Sequence, residues 1–130
     1  MLLVRVVISV LCAVGFYASV FMLRKSILNQ RGMLPEPSVV QSPRAALLRG
    51  VPNACIGLLY YAALPVAAWL GRSVPVFILA LAAACAAAAM SVYLAYSLLF
   101  VTKRNCPYCF LSHAINVALV PACARLLVLH

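Results

Sequence analysis

The chain has 130 residues, 68% of them hydrophobic and only 8% charged, a balance that excludes an ordinary water-soluble domain. Its net charge of +9 comes from ten Lys and Arg against a single acid, Glu36. Without interleaved aromatic and basic residues this does not describe a nucleic-acid interface; in so apolar a chain it reports contact with a lipid bilayer.

A spanning helix takes roughly 20 apolar residues, so the expectation is an all-α membrane protein. Residues 1–130 should form a single unit, a four-transmembrane-helix bundle. The first predicted helix covers about 4–23, with Arg5 as its only charge. Ala18-Ser19-Val20 makes a poor cleavage site before the bulky Phe21-Met22-Leu23, so this segment is expected to stay as a helix rather than leave as a signal peptide. Residues 24–50 carry five basic residues with Pro35, Pro37 and Pro43, and are expected to form a loop. Within it, Ala45, Leu47 and Leu48 between Arg44 and Arg49 suit a short interfacial piece.

Pro52 opens the second predicted helix, 52–70, in which Pro65 should produce a kink and Trp69 should sit at the membrane boundary. The short connection Gly71 to Pro75 predicts that the second and third helices are antiparallel neighbours. The third, 75–101, contains an alanine run that lets backbones approach closely and is expected at the centre of the bundle. After the polar break Thr102-Lys103-Arg104-Asn105, the fourth covers 106–129, with a kink expected at Pro121.

Cys12, Cys85 and Cys123 lie inside apolar runs and read as small packing residues, while Cys55 stays ambiguous. Cys106 and Cys109 form a motif. Two cysteines separated by two residues at a helix start lie one turn apart on one face and can close a small disulfide. Unpaired N–H groups, the positive end of the helix dipole, Lys103 and Arg104 all favour thiolate there. The spacing alone fits redox exchange, a soft metal ion such as copper(I), or a structural pair. His113 and Asn116 continue a polar stripe down the same helix, and polar groups inside a spanning helix point to a site. Asn53, at the start of the second helix, is expected at the same membrane level. Tyr60 and Tyr61, about two turns deeper, are expected to serve packing or the interface.

These segments resemble the vitamin K epoxide reductase (VKOR) family over roughly Pro37 to Val117. The resemblance is carried by Val39-Val40-Gln41-Ser42, by Gly50-Val51-Pro52-Asn53-Ala54-Cys55-Ile56-Gly57-Leu58-Leu59-Tyr60-Tyr61, and by Tyr93 through Cys106-Pro107-Tyr108-Cys109 to Ala114-Ile115-Asn116. It implies a multi-pass protein of the plasma membrane that passes electrons between protein thiols and a quinone, supporting disulfide formation. The resemblance makes Cys106 and Cys109 the redox pair, with Cys109 facing the quinone. It makes Asn53 a hydrogen-bond donor to a quinone oxygen, and puts His113 where relatives often carry tyrosine. Family members usually have two relay cysteines in the loop; here the position six residues before Ser42 is Glu36, and the loop has none. The expected partner is a separate thioredoxin-fold protein that meets Cys106 directly.

Two rival readings remain at this point: a soft-metal-binding membrane protein using Cys106, Cys109 and His113, and a non-catalytic membrane subunit. Orientation is also contested. The resemblance and the chemistry of disulfides place the cysteine end outside the cytoplasm. Arg24, Lys25, Arg31, Arg44, Arg49, Lys103 and Arg104 flank that end against Arg5, Arg72 and Arg125 at the other, and the positive-inside rule favours the opposite sense.

Overall fold

A computed structural model of the chain describes residues 1–32, 53–102 and 107–130. Among these residues all regular structure is helical: α1 (Leu2–Gln30), α2 (Asn53–Leu70), α3 (Val74–Tyr96) continued by a π-helical segment (Ser97–Thr102), and α4 (Pro107–Leu129). Four segments are long and apolar enough to cross a bilayer: Leu2–Leu28, Asn53–Leu70, Val74–Val101 and Pro107–Leu129. Leu59, Leu79 and Val128 are 74%, 71% and 80% exposed. Such outward apolar surface is costly in water and is what a lipid environment covers. The loop's interfacial piece, Glu36, Pro52, Lys103, Arg104 and Cys106 lie outside the described residues.

Helix ends follow local chemistry. α1 runs past the expected boundary at Leu23 because Arg24 to Gln30 contains neither glycine nor proline. It stops before Gly32, whose φ of 68° is the left-handed conformation that ends helices. Ser73, in extended conformation, precedes α3, and Pro75 occupies its first turn, where no N–H is needed. Pro65 and Pro121 lie inside helices that continue through them.

The packing order is α2–α1–α4–α3: α1 lies against both α2 and α4, and α3 packs mainly on α4. α2 and α3 touch only sparingly, despite the short connection between them. This corrects two expectations. A tight turn joins two helix ends, but side chains decide which faces meet. Phe77, Ala80, Ala84 and Ser91 form the buried face of α3, and Ser91 bonds to α4. Much of the alanine run, including Ala82, Ala83, Ala86 and Ala89, faces outward, so α3 is peripheral and α1 and α4 are central.

The core gathers Ile8 and Cys12 of α1, Tyr61, Leu64 and Ala68 of α2, the α3 face, and Ile115, Leu119, Cys123 and Leu126 of α4. Cys12 and Cys123 are buried packing residues as expected; Cys85 is exposed instead. At the end opposite the cysteine motif, Trp69 Nε1 donates to Ser9 Oγ at 2.8 Å and the Arg5 guanidinium lies 5.8 Å from the Trp69 ring. The His130 ring meets Phe77 at 4.5 Å.

Gly15 and Gly57 let α1 and α2 approach. A Cβ on Gly15 would stand 2.6 Å from the Tyr61 ring, and one on Gly57 2.8 Å from Ser19 Oγ. Gly15→Ala should therefore destabilise the protein by about 1–3 kcal/mol, the usual cost of overpacking. Thermal unfolding in detergent measures this, and an unchanged midpoint would contradict the close approach.

Candidate functional site

The described part of the cysteine motif, at the start of α4, packs beside Phe21 and Met22 of α1 and Leu98 of the π-helical segment. Pro107 begins α4, Cys106 directly precedes it, and Cys109 is in the first turn. Cys109 is partly buried with Met22, Tyr108 and Phe110 around Leu98 of the π-helical segment. The Tyr108 ring stacks on Phe21 of α1, with centroids 4.0 Å apart and planes 24° apart. Tyr17 lies further off at 6.4 Å. Lys25 Nζ is 5.0 Å from the centre of the same Phe21 ring. Stacking of this kind contributes about 0.5–1.5 kcal/mol beyond area burial, and a cation over a ring about as much again. These contacts fasten the residue between the two cysteines to α1, and so hold the first turn of α4 in place. Single turns of π-helix often accompany functional sites, and here the segment supplies Leu98 beneath Cys109.

Below the motif, Cys109, Ser112, His113 and Asn116 share about a third of the helix circumference at about 100° per residue. Tyr61 reaches this stripe from α2: its hydroxyl donates to Asn116 Oδ1 at 2.6 Å and lies 2.9 Å from Ser112 Oγ. Asn116 Nδ2 in turn donates to Ser91 Oγ on α3 at 2.6 Å. One asparagine thus ties α4 to two neighbours. Tyr61 is more than the packing residue the sequence suggested. Ser91 and Ser112 escaped sequence reasoning altogether, although an isolated serine in an apolar helix was a usable signal.

His113 is partly buried, and its Nδ1 is buried with no hydrogen-bond partner among the described residues. Buried polar atoms are nearly always paired, so such an atom calls for an explanation. A neutral imidazole can donate from Nδ1, and an apolar molecule with a carbonyl oxygen fits that unmet capacity. Asn53 is the first residue of α2, about 12 Å of helix rise before Tyr61 toward the cysteine end. The Tyr60 hydroxyl is likewise buried without a partner among the described residues. No three His, Cys, Asp or Glu side chains among the described residues are grouped to hold a metal ion. Cys106, part of any such set, lies outside them.

A model of the vitamin K epoxide reductase family matches residues 6–123. That range takes in Asn53, Cys106, Cys109 and His113. No curated protein sequence matches the chain significantly.

The Tyr61–Asn116 bond can be measured by a double-mutant cycle with Tyr61→Phe and Asn116→Leu. Hydrogen bonds between spanning helices average about 0.6 kcal/mol and reach about 1.7 kcal/mol, and the 2.6 Å separation favours the upper part of that range. Additive losses in unfolding free energy would mean that the bond contributes nothing.

Proposed function

The chain belongs to the vitamin K epoxide reductase family, and from that premise we propose that Cys106 and Cys109 pass electrons from the thiols of a partner protein to a quinone, supporting disulfide-bond formation. Membership makes the protein a multi-pass membrane oxidoreductase. The donor, the acceptor, the role of each residue and a single domain over residues 1–130 belong to this proposal. The observation that carries it is Cys109 in the first turn of α4, with His113 one turn deeper on the same face, its buried Nδ1 without a partner among the described residues.

In the reductive half, a partner thiolate attacks Cys106 of the Cys106–Cys109 disulfide and Cys109 leaves as thiolate. The free end of a helix, with its unpaired N–H groups, favours that leaving group. The partner's second thiol then attacks its own sulfur in the mixed disulfide and releases Cys106. The partner has become a disulfide and the pair a dithiol. In the oxidative half, two electrons and two protons leave as the Cys106–Cys109 disulfide re-forms, and a bound quinone supplies the acceptor for them. Asn53 and His113 would hold its oxygens by donating hydrogen bonds. Histidine at a position where relatives often carry tyrosine retains a hydrogen-bond donor. The loop contains no cysteine, so the partner, a separate thioredoxin-fold protein, must reach Cys106 itself.

Purified protein supplied with a reduced thioredoxin-fold protein and a soluble quinone should reduce the quinone. Cys109→Ala should abolish turnover, and when this variant is given the partner in its disulfide form instead, the Cys106 thiolate should open that disulfide and hold the partner as a mixed disulfide; turnover that survives the change would refute the reading. His113→Ala should raise the quinone KM roughly 2- to 10-fold, as expected for one lost hydrogen bond, while His113→Tyr should retain most of the affinity. We place the cysteine end outside the cytoplasm, where an oxidising compartment suits disulfide formation. A reporter active only outside the cytoplasm should then stay silent when fused after His130, because four spans return both termini to one side.

A further inference from the structure

Arg5 and Arg24 stand about 28 Å apart along α1 at about 1.5 Å per residue, close to the roughly 30 Å thickness of a hydrocarbon core. The helix does not end there. It continues to Gln30, and Arg31 N–H still bonds to the Ile27 carbonyl at 3.1 Å. Arg31 is therefore about 10 Å beyond Arg24, outside a headgroup layer of about 5–8 Å on each side. Arg24 and Arg31 are exposed. The Phe21–Tyr108 stack puts this end of α1 beside the first turn of α4. The described residues include no acidic side chain, and the whole chain has only Glu36 against ten basic residues. Lipid phosphates can meet Arg24, but Arg31 projects past them and meets no acidic side chain among the described residues.

We propose that Arg24 and Arg31 form a cationic rim that docks a redox partner carrying acidic residues around its reactive dithiol. This rests on the thiol–disulfide reading above and adds the surface chemistry by which the partner is chosen. Complementary charge acts mainly on encounter and on the choice of partner, which suits a protein whose partner must come directly to Cys106.

The test uses the full chain in nanodiscs of phosphatidylcholine, with two synthetic dithiol peptides, one flanked by Glu and one by Lys, and dithiothreitol as a small reductant. At low salt, kcat/KM for the acidic peptide should exceed that for the basic one by about 10-fold, and the two should converge near 0.5 M salt, as expected for exposed charges. The variant R24E/R31E should lose the acidic peptide's advantage over both other reductants, with R24Q/R31Q intermediate. The acidic peptide with serine in place of both cysteines should bind in a salt-dependent way, about 5-fold weaker to R24E/R31E. That binding needs no thiol chemistry, so it decides docking even if dithiothreitol drives no quinone reduction, a result that would instead refute the proposed function. Equal rates with both peptides, salt-independent binding, or a response only to added phosphatidylglycerol would overturn the docking surface; the last would assign the arginines to lipid.

Discussion

The hydroxyl of Tyr61 is the point from which the geometry of the site is set. In the hydrocarbon core of a bilayer a polar group either finds a partner within the protein or carries a desolvation cost. Tyr61 meets that demand across the bundle, on Ser112 and Asn116 of α4, and Asn116 passes the constraint on to Ser91 of α3. Apolar contacts alone tolerate rotation of one helix against another, because lipid tails solvate a leucine as well as a neighbouring leucine does. Directed hydrogen bonds do not. They fix which face of α4 looks inward, and that face bears Cys109 and His113.

A second constraint acts at the membrane surface. Tyr108 lies between the two cysteines in sequence, and its stacking on Phe21 ties the motif to α1. Lys25, a turn further along α1, lies near the same ring. The deeper bonds orient the helix, and the ring stack holds its first turn.

Much of this architecture was legible in the sequence, for physical reasons. Four apolar runs of spanning length, the proline at the start of α4 and the two-residue spacing of Cys106 and Cys109 are local signals, and local signals survive folding. The end of α1 was misplaced because Arg24 and Lys25 mark where lipid stops, not where the helix stops. The alanine run showed that α3 can approach another helix closely, but composition does not choose the partner; Ser91 and Asn116 do. Tyr61 looked like packing because its hydrogen-bond partners are on another helix, far along the chain. Of the expected site, Cys109 and His113 share one face of α4 and Asn53 opens α2, whereas Cys106 lies outside the described residues.

Gly15 gives the bundle an inheritance rule. The Tyr61 ring fills the space that a side chain at position 15 would need, so the two positions share one volume. A lineage that enlarges residue 15 must shrink residue 61, and in shrinking it gives up the hydroxyl that meets Asn116. The smallest residue of α1 therefore limits which residues the interior of α2 and α4 can adopt, although it has no polar side chain and makes no bond of its own to either helix's side chains.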